Sequence, residues 1–278
     1  MATIDRPDAV YVGVSTKMYL GYERSLAWLE GLRRELLARG EGTPRTTADG
    51  APGTTASGGM DAIPFAAPSY PVLESAARIL DGTGCRLAAQ NCAVGDGAAT
   101  GEVSAGMLAE LGVRIVEIGH AERRADFGED DAVVAAKVRS ATAAGLTPLL
   151  CVGELRRGGP GEAAADCLRQ IAAALGTGTE AGTDPASVLF AYEPVWAIGA
   201  TEPASPAHVN AVLALVRERL TVPGRPVTLI YGGSAGPGLL PRLPEADGLF
   251  LGRFAHDPAN FGAVLDEARA RRPRLETT

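Results

Sequence analysis

Short apolar runs alternate with longer amphipathic stretches along most of this chain. The runs occupy residues 10–15, 62–66, 85–90, 113–118, 147–152, 188–192, 227–231 and 248–251, and β-branched and aliphatic side chains dominate them. Several are continuously apolar, the pattern of strands buried on both faces of a parallel sheet. Between them lie helical segments such as 22–39, 130–144, 162–175 and 205–220. In the first of these, Leu26, Leu29, Leu32, Leu36 and Leu37 recur at spacings that let them share one helix face. Eight β–α units within 278 residues predict an α/β fold, a single (β/α)8 barrel domain, where length alone suggests two domains. An open doubly wound sheet is the competing arrangement, and it needs fewer strands or additional elements.

Residues 40–60, GEGTPRTTADGAPGTTASGGM, break the alternation. Without a hydrophobic run they cannot bury enough surface to offset ordering entropy, so a flexible insertion is expected. It follows the first helix and precedes the second strand. In a barrel that is the face opposite the loops that carry catalysis.

Composition narrows the class of function. Hydrophobic residues make up 46% of the chain and charged residues 21%, the balance of a folded protein with a sizeable core. The net charge of -7 and pI near 5.1 supply no basic footprint for nucleic acid. No stretch approaches the ~18 apolar residues of a membrane span, and the N-terminus lacks a signal-peptide pattern, so a soluble cytoplasmic protein is expected. Cys85, Cys92, Cys151 and Cys167 form no Cys-x-x-Cys pair and have no histidine at zinc-ligand spacing. Reduced thiols are expected, and no metal site.

Glycine is in excess, at 35 residues against a usual ~7%. Part of that excess lies in residues 40–60. Another part lies in or just after the predicted strands, at Gly13, Gly119, Gly153, Gly199, Gly232, Gly233 and Gly252. Such positions let backbone approach a ligand closely and let amides form an anion-binding concavity. Lys17, His120 and Glu193 follow the first, fourth and sixth strands. A carboxylate, an imidazole and an ammonium on one rim are the parts needed to move a proton beside a carbonyl. Singly, each is equally a surface lysine, a structural histidine or an ion-pair partner.

Two other motifs compete. Gly232-Gly233-Ser234-Ala235-Gly236 fits a hydrolase nucleophile elbow, with Asp247 and His256 as the later acid and base. Only 44 residues follow Ser234, little room for the rest of such a sheet. Gly176-Thr177-Gly178 lacks the third glycine of a dinucleotide fingerprint, and no Walker loop occurs, so no nucleotide cofactor is indicated.

Five segments carry a family resemblance: Ala89-Gln90-Asn91, the run from Ile118 through Gly119-His120-Ala121-Glu122 to Arg124, Leu150-Cys151-Val152-Gly153-Glu154, Ala191-Tyr192-Glu193-Pro194-Val195-Trp196-Ala197-Ile198-Gly199, and Tyr231-Gly232-Gly233-Ser234. In this order and spacing the chain resembles the triosephosphate isomerase family from about residue 10 to residue 265, apart from the insertion. The resemblance implies Glu193 as general base, His120 as neutral electrophile, Lys17 as cationic partner and Glu122 as its support. It also implies a lid at 194–199, phosphate contacts from Ser15, Lys17, Gly199, Ser234, Gly252 and Arg253, no cofactor, and a homodimer. The dimer loop corresponds to residues 92–101, with Thr100 at its usual threonine and Ala99 in place of a common aromatic.

Departures bear on the substrate. Ser15 stands where the family usually has Asn, Ala121 where it has Ser, Ala200-Thr201-Glu202-Pro203 where the lid ends Thr-Gly-Lys, and Arg253 where a second glycine follows Gly252. Interconversion of dihydroxyacetone phosphate and D-glyceraldehyde 3-phosphate is the leading expectation. The alternative is the branch of the family that isomerises L-erythrulose 1-phosphate, to which Arg253 and Pro203-Ala204-Ser205 look similar. A non-catalytic phosphate-binding barrel is the reading from another class.

Overall fold

The computed structural model describes residues 4, 9–40, 61–176, 182–199, 203–220 and 226–271. From residue 41 on, the predicted insertion lies outside them, as do residues 200–202 at the distal end of the predicted lid. Eight strands among the described residues form a closed parallel barrel in chain order: β1 (Val10–Ser15), β2 (Ala62–Ala67), β3 (Arg86–Ala89), β4 (Ile115–Ile118), β5 (Thr147–Val152), β6 (Leu189–Tyr192), β7 (Thr228–Tyr231) and β8 (Gly248–Leu251). β1 pairs with β2 on one side and with β8 on the other, which leaves no free edge. The helices α1 (Tyr22–Ala38), α2 (Leu73–Ile79), α3 (Ala105–Glu110), α4 (Ala121–Asp126), α5 (Asp131–Ala143), α6 (Pro160–Leu175), α7 (Pro206–Leu220) and α8 (Pro258–Ala270) follow the strands in alternation.

The continuously apolar strands are explained by two cores. Outward side chains such as Val10, Val12, Val116 and Ile118 pack beneath the helices. Inward ones, including Tyr11, Phe65, Ile115, Leu149 and Ile230, fill the barrel's interior. Gly13 points inward as well, and a Cβ there would sit 1.9 Å from the Phe65 ring. Its lack of a side chain makes room for that ring, so the expectation that it belongs to a ligand concavity is corrected.

The predicted strands at 85–90, 113–118, 188–192 and 227–231 are shorter in the structure, because their flanking residues bond elsewhere. The Val113 amide donates to Leu108 O and the Val188 amide to Pro185 O, each closing a turn before the strand starts. In α1, Leu29, Leu32 and Leu36 are fully buried, but Leu37 is 45% exposed and does not belong to the predicted face. No helix among the described residues is long and apolar enough to cross a membrane. No group of three or more His, Cys, Asp or Glu among them is arranged to hold a metal ion.

Candidate active site

The C-terminal ends of the strands surround a cavity of about 770 Å³. Ser15, Lys17, His120, Glu122, Glu193, Gly199, Ser234, Gly252 and Arg253 all line it, so every residue singled out for the site reaches one chamber.

His120 enters it from the end of β4. Its backbone leaves the strand through Gly119, whose φ of +73° is the left-handed conformation that favours glycine. The imidazole then caps α4: Nδ1 accepts the Glu122 amide N–H at 3.1 Å. An accepting Nδ1 assigns the ring proton to Nε2. Nε2 lies 3.2 Å from Glu193 Oε2 and 3.4 Å from Lys17 Nζ. Burial, reinforced by the Lys17 charge, lowers the pKa to about 4, so the ring is neutral at pH 7.

Lys17 is the one non-glycine residue with positive φ among the described residues, at 47°. Such a conformation costs on the order of 1–3 kcal/mol and persists only where neighbours hold it. Here Gln90 Nε2 donates to Lys17 O at 3.1 Å and to Ala67 O at 2.9 Å, fastening the loop to the barrel. The ammonium donates to Glu122 Oε1 at 2.6 Å. Burial works to lower the Lys17 pKa, but Glu122, with Glu193 and Glu117 farther off, raises it overall. For Glu122, burial pushes upward and the Lys17 hydrogen bond and charge reverse it, leaving the pKa lowered.

Glu193 follows β6 and is 3% exposed. Burial first, then the neighbouring Glu117 carboxyl, push its pKa well above the usual carboxylate range. Two glycines make its position possible. A Cβ at Gly153 would lie 1.9 Å from the Glu193 carbonyl oxygen, and one at Gly232 would lie 2.4 Å from Oε1. The glycines expected to form one anion concavity therefore divide. Gly199, Gly232, Gly233 and Gly252 line the chamber, whereas Gly119 and Gly153 face an adjoining cavity of about 850 Å³.

The lid stretch is anchored to β5 and β7. Trp196 Nε1 donates to Glu154 Oε1 at 2.7 Å, and the Tyr192 hydroxyl donates to the same oxygen at 3.2 Å. The Val195 amide donates to Glu154 O at 3.0 Å. Ser234 Oγ donates to Ala197 O at 3.3 Å. That bond removes the nucleophile-elbow reading, because its proposed partners are elsewhere. Asp247 pairs with Arg217 at 2.8 Å and accepts the amide of Leu229 near the start of β7, at the opposite end of the barrel. His256 lies against the Tyr19 ring at 5.6 Å.

Glu117 was not anticipated. It lies on β4 with its carboxyl among the inward side chains, 4% exposed, with Oε2 unpartnered. The signal was present: Ile115 points inward, so the residue two positions on does too.

Comparison with known proteins follows the same lines. Residues 53–268 match the triosephosphate isomerase family. The L-erythrulose-1-phosphate isomerase of Pectobacterium atrosepticum is 44% identical over 261 residues, 92% of this chain and 95% of that protein. The enzyme of the same name from Rhizobium etli is 39% identical over 94% of this chain and 93% of its own length. The triosephosphate isomerase of a Picosynechococcus species is 40% identical over 67% of this chain and 77% of its own. Among solved structures, triosephosphate isomerase from Bartonella henselae superposes with a TM-score of 0.73 at 28% identity, covering 94% of this chain and 99% of that one. Barrel, sequence match and relatives agree, and this chain is an isomerase of the triosephosphate isomerase family.

Proposed function

We propose that this chain isomerises a four-carbon ketose phosphate, L-erythrulose 1-phosphate. The observation that carries this reading is the 44% identity, across nearly the full length of both chains, to an enzyme named for that substrate. The order of preference drawn from the sequence is thereby reversed, with triosephosphate as the second reading. The triosephosphate isomerase relative at 40% identity keeps that second reading open to test.

In the proposed reaction Glu193 removes the proton from the carbon between the carbonyl and the terminal hydroxymethyl. The electron pair moves into the new C=C bond and onto the carbonyl oxygen, giving an enediolate. Neutral His120 donates through Nε2–H to the oxygen that gains charge, then takes the proton of the neighbouring hydroxyl. Glu193 returns its proton to the former carbonyl carbon, and the carbonyl has moved one carbon away from the phosphate. A raised pKa makes Glu193 a stronger base once ionised, and the Lys17 ammonium offsets the developing negative charge. Amides at Gly199, Ser234, Gly252 and Arg253 hold the phosphate, and the Arg253 guanidinium supplies a cation where two glycines would supply none.

We also infer a homodimer. Met18, Tyr19, Val94 and Phe127 are 94%, 53%, 54% and 69% exposed, apolar groups on loops that include the predicted dimer segment.

The test is an isomerisation assay with dihydroxyacetone phosphate and L-erythrulose 1-phosphate side by side. A preference for the tetrulose phosphate is expected, and a preference for the triose phosphate returns the second reading to the lead. Glu193→Gln is expected to lose at least ~10³-fold in turnover while folding normally, as removal of a general base does. Near-normal turnover in that variant would sink the role given to Glu193.

A further inference from the structure

Apolar side chains such as Tyr11, Phe65, Ile115, Leu149 and Ile230 fill the barrel's interior. Ser15 and Glu117 interrupt that filling near the end that carries the chamber. Ser15 lies beside the inward Ala67 in the β1–β2 register, and Glu117 beside the inward Leu149 in the β4–β5 register. Both are buried. A buried carboxyl with few partners is costly, and well-packed apolar side chains generally fill such a position at lower cost. Glu117 Oε2 has no hydrogen-bond partner at all. Burial raises the Glu117 pKa to about 7, against the Lys17 charge and a hydrogen bond from Ser15 that work to lower it.

The hydrogen bond from Ser15 connects this carboxyl to the site. A serine hydroxyl has one proton, and here it goes to Glu117. Its oxygen is then free to accept, and it takes the Lys17 amide N–H at 3.4 Å. A hydroxyl turned the other way would set donor against donor and lose that bond. The amide belongs to the chain's left-handed lysine, whose φ of 47° persists only where neighbours hold it. Gln90 holds the carbonyl side of Lys17 at 3.1 Å, and Ser15 holds the amide side. Backbone that relaxed to negative φ would re-aim the side chain. The ammonium would then leave its place 3.4 Å from His120 Nε2 and 2.6 Å from Glu122 Oε1.

We propose that Glu117 is a positioning residue for Lys17: by fixing the direction of the Ser15 hydroxyl, it holds the left-handed turn that places the ammonium beside His120. Glu117 touches no substrate and transfers no proton. The inference rests on the roles given above to Lys17 and His120, and it is independent of the length of the substrate.

The experiment measures kcat and KM with whichever of the two sugar phosphates the unaltered protein turns over faster. The variants are Glu117→Leu, Glu117→Gln, Ser15→Ala and the double variant Glu117→Leu/Ser15→Ala. Glu117→Leu is expected to lower kcat about 10-fold, the scale of one lost hydrogen bond, while its melting temperature holds or rises. Glu117→Gln, whose side-chain carbonyl accepts the same O–H, restores most of the loss. Ser15→Ala loses about as much as Glu117→Leu, and the double variant loses no more than either, because both changes break the same connection. Imidazole NMR supplies a second readout: Lys17 helps hold the His120 midpoint near pH 4, so a displaced ammonium moves that midpoint upward in Glu117→Leu and Ser15→Ala. Unaltered kcat in Glu117→Leu, losses that multiply in the double variant, or a glutamine variant no better than the leucine one overturns the proposal. If the leucine variant does not fold, Ser15→Ala with unaltered kcat and an unmoved His120 midpoint overturns it as well. A Lys17→Met variant that keeps full turnover removes instead the role of Lys17 on which the inference rests.

Discussion

At His120 two neighbours act on opposite nitrogens of one ring. The Glu122 amide occupies Nδ1, and the chamber receives Nε2 with its proton. The pKa is lowered from its ordinary 6.5 to about 4, so the folded chain stays unprotonated where the unfolded chain takes up a proton. Between those values the unfolded state binds more protons, and this residue makes stability rise with pH through that window. Glu117 has the opposite sign: raised to about 7, it holds a proton in the folded state that is lost as pH rises through that value. Imidazole resonances followed by NMR are expected to show His120 titrating near pH 4, and Lys17→Met is expected to move that midpoint upward by removing a cation. A midpoint near 6.5 in the unaltered protein contradicts the neutral-donor role. The sequence made His120, Lys17 and Glu193 candidates through their residue types and motifs. It carried no information on which imidazole nitrogen holds the proton, because that depends on an amide fixed by the turn into α4.

At the scale of elements, strand ends and the glycines beside them place the proposed acid–base groups. β6 carries Glu193 out of the barrel, and its carboxylate fits only because Gly232, just after β7, has no side chain. Gly232→Ala would put a methyl group 2.4 Å from Oε1, too close for both to stay in place. The expected outcome is a loss of kcat of about 10²-fold with a modest fall in thermal stability, since a misplacement of about 1 Å costs on that order. A variant with unaltered kcat would show that Glu193 has room to spare. Strand and helix spans were legible because binary patterning is local. The glycine roles were legible only in part. Gly13, Gly153 and Gly232 all lie in or near strands, yet one admits Phe65, one admits a backbone carbonyl and one admits the Glu193 carboxylate.

For the whole molecule, barrel closure brings residues 17, 120 and 193 from β1, β4 and β6 to one rim. The insertion's described flanks lie at the other end, where the Asp61 carbonyl accepts the amide of Val10 at the start of β1. The exposed apolar loops set the last prediction. Sedimentation equilibrium at micromolar concentration is expected to return twice the 28.6 kDa chain mass, and Met18→Asp is expected to shift the population toward monomer. A monomeric unaltered protein would remove the dimer.

The sequence by itself determined the barrel class and the isomerase family, and it singled out the candidate acid–base residues. Hydrophobic period, turn chemistry and short motifs are properties of neighbours along the chain, and they survive without coordinates. Tertiary structure alone decided which glycines face the chamber, where Asp247 and His256 go, and how burial and field set each pKa. Those depend on groups distant in sequence and close in space. Glu117 shows the difference most plainly. In the chain it is one charged residue in an apolar run, and only the closed barrel makes it a buried carboxyl with an unpartnered oxygen beneath the site.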